Sequence, residues 1–105
     1  MRFVETAVFT KQVVELLADD EYRALQSSLI VRPEQGAVIP GGGGVRKIRW
    51  GAKGAGKRGG LRAIYYWYRP DETFLMLFAY SKNMRSDLPP GQLKTLRQFV
   101  EREFP

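Results

Sequence analysis

The chain has 105 residues, 44% of them hydrophobic and 12% aromatic, with a net charge of +6; this fits one folded domain with a real core, spanning 1–105, and not a disordered segment. Cysteine and histidine are both absent, which removes disulfide frameworks, thiolate chemistry and Ser-His-Asp or Cys-His catalysis, and leaves zinc only an unusual all-carboxylate site. Any acid–base work falls to Lys, Arg, Tyr, Asp or Glu.

RFVET predicts a short opening strand. TKQVVELLADDEYRALQSSLIVRPEQG then reads as helical, with Val13, Leu16 and Leu17 on one face and Tyr22, Leu25 and Leu29 on another. Acids at Asp19-Asp20-Glu21 mark a new N-terminus, so two helices are expected to meet near Ala18-Asp19, the second ending at Arg32-Pro33. PEQGAVIPGGGG is a turn-rich connection whose glycines hold no fixed shape by themselves. VRKIRW, LRAIYYWY and TFLMLFAYSK are rich in β-branched and aromatic residues and predict strands joined as consecutive hairpins. GQLKTLRQFVEREF returns to helical spacing. The expected fold is α+β, in the order β-α-α-β-β-β-α: a small, mainly antiparallel sheet flanked by helices, with the helices packed on one side. No apolar run approaches the ~18 residues of a membrane span. MRFVETAVFTKQ carries an acid and a lysine where a signal peptide needs an unbroken apolar stretch. A cytoplasmic protein without membrane contact is expected.

Charge is unevenly spread. Residues 41–70 hold eight basic residues (Arg46, Lys47, Arg49, Lys53, Lys57, Arg58, Arg62, Arg69) and no acid. An ordinary solvated face mixes signs, so this block points to an anionic partner. Its centre, GAKGAGKRGG at 51–60, partly matches two nucleotide-binding patterns. A P-loop needs a following helix and a Ser or Thr after Gly-Lys, whereas here Arg58 follows and then a strand. The dinucleotide fingerprint also needs a strand-to-helix turn and an acid about 20 residues on; the nearest acids, Asp71 and Glu72, lie in a hairpin turn. Nucleic acid fits better than either, because glycines allow close approach to a phosphate chain and interleaved aromatics can stack on bases. A plain flexible hairpin with solvated lysines would leave the one-sign block unexplained.

RKIRWGAKGAGKRGGLRAIYYWY followed by YSKNMRSDL resembles the RelE/HigB toxins of bacterial toxin–antitoxin modules, most closely the HigB branch. The motif resemblance covers about half the chain. It implies a RelE-like, microbial-ribonuclease-like fold and a metal-independent endoribonuclease that needs no cofactor. Such toxins enter the A site of the 70S ribosome, contact rRNA and cut mRNA there by attack of a ribose 2′-OH on the adjacent phosphate. It also implies a HigA-like helix-turn-helix antitoxin as partner, with DNA reached only through the antitoxin complex.

That cleavage needs a base for the 2′-OH, positive charge on the phosphorane and a proton for the leaving oxygen. A lysine crowded by other cations loses its proton more readily, while arginine stays charged and grips phosphate through its planar fork. Matched to the family motif, Lys57 and Lys82 are assigned to proton transfer or phosphate contact, Arg62 to transition-state charge, and Lys53 to assistance in catalysis. Arg46, Lys47, Arg49, Arg58, Tyr80 and Asn83 are assigned to RNA or ribosome binding, Arg49 also assisting. Tyr80 equally suits packing in the core or at its rim, Asn83 a turn, and Asp87 the turn before Pro89-Pro90 or a helix cap. Met84 stands where close relatives often carry an acid, and no tyrosine lies beyond Tyr80 to match the catalytic one of several RelE-type toxins. Three other readings stay open: a ParE-like gyrase poison on the same fold, a non-catalytic basic RNA- or ribosome-binding protein, and a degenerate toxin.

Overall fold

The computed structural model describes residues 1–51, 60–81 and 88–104. Strand β1 (Arg2–Glu5) leads into helices α1 (Ala7–Leu16) and α2 (Asp19–Val31). Thr6 caps α1 and anchors it at once: its Oγ1 accepts the Phe9 N–H at 3.0 Å and donates to the Leu77 carbonyl at 2.8 Å. The two helices part where the sequence indicates. Asp19, Asp20 and Glu21 occupy the first turn of α2, and the Ala18 N–H donates to the Glu21 carboxylate at 2.9 Å.

The turn-rich connection contains a strand that the sequence did not announce, β2 (Ala37–Val38). It pairs antiparallel with β3 (Arg46–Gly51). The glycine run is the hairpin between them: Gly41, Gly43 and Gly44 take φ of +78°, +66° and +98°, a region costly for any residue with a Cβ. Hydrogen bonds from Gly42 N to Ile39 O and from Ile39 N to Val45 O close the turn at 3.0 and 2.9 Å.

Strand β4 (Gly60–Tyr68) follows, then a 3₁₀ turn at Arg69–Asp71, strand β5 (Thr73–Ser81) and helix α3 (Pro90–Glu103). The sheet order is β1-β5-β4-β3-β2, with β1 parallel to β5 and every other pair antiparallel. The expected α+β class and mainly antiparallel sheet are therefore observed, with β2 added to the element order.

Helices cover both faces of the sheet, not one. Phe9, Val13 and Leu17 of the first helical segment and Leu25 and Leu29 of α2 pack with Ile48, Leu61, Ala63, Tyr65, Phe74 and Met76 on the first face. On the second face Val100 of α3, with Leu93, Leu96 and Phe99 beside it, packs against Ile64, Leu75, Leu77, Phe78 and Tyr80. The physical reason is that β4 and β5 are buried on both sides, which a single helical layer cannot achieve.

A bulge in β5 sets which side chains reach which face. Ile64 pairs with Phe78 but Tyr65 pairs with Met76, so Leu77 is an extra residue. Phe74 and Met76 face α1 and α2, and after the bulge Phe78 and Tyr80 face the α3 side. Beyond Met76, where β1 stops pairing, α1 finishes the edge of β5: Thr6 binds Leu77 O, and the Gln12 Oε1 accepts the Ala79 N–H at 2.7 Å.

Candidate active site

Alternation along β3 divides the basic strand between the two faces. Arg46, Ile48 and Trp50 point to the α1/α2 side, where Ile48 and Trp50 join the first cluster. Lys47 and Arg49 point to the α3 side, in phase with Val45 of the second cluster. Lys47 and Arg49, together with Gln35, Ala37 and Ile48, line an open cleft beside the short strand β2.

Register then places Arg49 of β3 opposite Arg62 of β4, and Arg62 opposite Tyr80 of β5. Directly opposed residues share a face, so Arg49, Arg62 and Tyr80 form one row across three strands. Lys47, Ile64 and Phe78 form the next row on that face, two residue pairs further from the 51/60 end.

Arg62 is the most unusual member. It is only 8% exposed, and among the described residues no carboxylate forms an ion pair with it. Its Nη1 makes a long contact to the Leu61 carbonyl, at 3.5 Å. Burying a cation without a counter-charge is costly, and a second arginine opposite adds repulsion.

The other cations behave differently. Arg46 donates to the carbonyls of Glu34 at 3.0 Å and Gly36 at 2.7 Å and lies 3.5 Å from the Glu34 carboxylate. Arg69 reaches the same carboxylate at 3.2 Å and stacks over Trp67, 5.2 Å from the ring centroid. Glu34 thus neutralises part of a block that holds no acid in sequence, and Arg46 fastens the segment between α2 and β2. Tyr65 serves the same segment: its hydroxyl donates to Pro33 O at 2.8 Å and accepts from Gly36 N at 3.0 Å. Burial raises its pKa above the ordinary 10.0, against the lowering effect of the Gly36 N–H and Arg46. Tyr22 is raised further, by burial and by its 2.6 Å hydrogen bond to the Glu5 carboxylate.

Of the residues assigned from sequence, Arg62, Lys47, Arg49 and Tyr80 come together on the α3 side, and Arg46 lies on the opposite face. Tyr80 is only 2% exposed, with its ring against Phe78, so it packs within the second cluster and presents no open face to a base. Lys53, Lys57, Arg58, Lys82 and Asn83, and likewise Asp87, lie outside the described residues. The split of Arg46 from Lys47 and Arg49 was within reach of the two-residue period of a strand. Gln12, which completes the β5 edge behind Tyr80, carried no signal in the sequence.

Among the described residues no helix is long and apolar enough to cross a membrane. A family model described as the RelE toxin of the RelE/RelB toxin–antitoxin system matches residues 1–104. Because that match runs through every strand and helix of the fold and through the Arg49–Arg62–Tyr80 row, this chain belongs to the RelE toxin family.

Proposed function

We propose that this toxin is of the HigB type and acts as a ribosome-dependent, metal-independent endoribonuclease that cuts mRNA in the A site. The observation that carries the reading is Arg62, buried without a carboxylate partner among the described residues and opposed to Arg49. Two guanidinium groups side by side on a sheet face suit a phosphate in the course of substitution better than any internal partner.

In this mechanism the ribose 2′-oxygen attacks the adjacent phosphorus, giving up its proton to a base. The P–O5′ bond breaks, and the departing oxygen takes a proton from an acid. A cyclic phosphate and a free 5′-hydroxyl result. Arg62 stabilises the charge that builds on the non-bridging oxygens, with Arg49 assisting. Lys57 and Lys82 are assigned to the proton transfers or to phosphate contact, with Lys53 assisting. Lys47, Arg58 and Asn83 hold RNA or rRNA. Arg46 and Tyr80 support the site from within the fold. A HigA-like helix-turn-helix antitoxin is the proposed partner that neutralises the toxin and carries it to DNA.

The test is end-mapping of a labelled mRNA in a purified translation reaction, with and without ribosomes. Wild type is compared with Arg62→Ala and with Lys57→Ala/Lys82→Ala. Discrete, ribosome-dependent cuts that disappear in the variants support the reading. Intact mRNA with folded toxin and active translation would overturn it and direct attention to gyrase inhibition.

A further inference from the structure

Gly51 and Gly60 face each other as the last register pair between β3 and β4. Neither is among the described glycines with positive φ, so the backbone does not require glycine at either position. Glycine weakens a strand and often marks close approach of another group. At Gly51 an added Cβ would meet no atom of the described residues within 4 Å. At Gly60 it would meet Nη1 of Arg62 at 3.0 Å.

Gly60 and Arg62 are two apart on one strand, so they share a face. The Arg62 side chain therefore lies back over Gly60, in the space that a side chain there would fill. Arg62 is 8% exposed and flanked by the strand carrying Tyr80, and its guanidinium must give by a few tenths of an ångström to admit a Cβ at Gly60.

We propose that Gly60 is a positioning residue: the missing side chain leaves the place in which the Arg62 guanidinium is held for its anion. This rests on the reading of Arg62 given above. A methyl group at Gly60 shifts the guanidinium by a few tenths of an ångström without removing its charge. Misplacement on the ångström scale is worth up to about 100-fold in rate, so about a tenfold loss is expected for the smaller shift.

Gly60→Ala and Gly51→Ala are compared in the ribosomal cleavage assay, as rate at saturating toxin and as toxin concentration for half-maximal rate. Gly60→Ala is expected to lower the saturated rate about tenfold and leave the half-maximal concentration unchanged, while Gly51→Ala matches wild type. The Nε–Hε NMR resonance of Arg62, identified by its loss in Arg62→Lys, should move in Gly60→Ala and stay in Gly51→Ala. In an Arg62→Lys background, which has no Nη1, the Gly60→Ala penalty should vanish.

A wild-type rate in Gly60→Ala, an unmoved resonance, or a penalty that persists beside Arg62→Lys would each overturn the proposal. Failure of the functional reading looks different. In that case Arg62→Ala cuts mRNA like wild type, or wild type does not cut at all, while the resonance still reports the contact between Gly60 and Arg62.

Discussion

Arg62 of β4 and Tyr80 of β5 stand directly opposite each other on the face that packs against α3. They meet because β5 carries Leu77 as an extra residue. In an unbulged strand the alternation from Phe74 and Met76 would send Tyr80 to the other face, among Leu61 and Ala63. Tyr80 would then be first-face core, and Arg62 would lack an aromatic wall beside it. One inserted residue thus joins a buried cation to the second cluster and leaves Arg49 on its open flank.

Replacing Arg62 by Met should separate stability from activity. No counter-charge pairs with Arg62 among the described residues, so an apolar side chain of similar length is expected to stabilise the toxin by about 1–2 kcal/mol. Cleavage should fall by at least about 100-fold. Thermal unfolding and mRNA end-mapping on the same preparations check both; a lower melting temperature would mean that the guanidinium has a structural partner.

Arg46 and Arg49 are expected to fail in opposite ways. Arg46→Gln breaks the bonds to Glu34 and Gly36 and should cost about 1–2 kcal/mol of stability, with little change in the salt dependence of ribosome binding. Arg49→Gln, at an exposed position without an ion pair among the described residues, should leave unfolding nearly unchanged. It should weaken ribosome binding and flatten the salt dependence. Filter binding across a salt series, beside denaturant melts, tells the two apart.

Tyr65 gives the fold an alkaline limit. Its pKa is raised in the folded chain above the ordinary 10.0, so the neutral phenol favours the folded state. This contribution is complete below pH 10 and is lost as pH rises toward the folded value, because the unfolded chain releases its proton first. Tyr22, raised in the same direction, adds to the effect. Tyr65→Phe should cost about 1–3 kcal/mol at neutral pH by leaving Pro33 O and Gly36 N without the phenol. The loss of stability above pH 10 should also become shallower, as measured by urea midpoints from pH 8 to 11.

Thr6 and Gln12 carry out edge closure that no strand performs. Thr6→Ala removes the α1 cap and the bond to Leu77 and is expected to cost about 1–2 kcal/mol. Gln12→Ala leaves the Ala79 N–H open at the sheet edge, at about 1–3 kcal/mol. Faster amide hydrogen exchange at Ala79 in Gln12→Ala would confirm the contact. Exchange as slow as in wild type would show that the edge is covered in another way.

The sequence by itself determined the elements and their chemistry. Apolar spacing of three and four marks α1, α2 and α3, the acids at 19–21 mark the break between two helices, and β-branched and aromatic density marks β3, β4 and β5. These are local properties, and local physics is enough for them. The Gly-rich stretch with Arg62 and YSKN likewise carried the family resemblance, because motif residues lie close along the chain. What lay beyond the sequence was relational. Neither the placing of α3 opposite α1 and α2 nor the parallel pairing of β1 with β5 leaves a local signature, since both depend on contacts between the two ends of the chain. The β2 strand emerged from a glycine-rich segment only because β3 offered it an edge. Glu34 neutralises Arg46 and Arg69 across a gap of 35 residues to the latter, so a charge count along the chain could not see it. Tertiary structure also decided that Arg62 is buried, that Arg49 and Tyr80 flank it, and that Gly60 lies beneath its guanidinium. Strand register and one bulge bring those groups together, and both are set by packing on two faces at once.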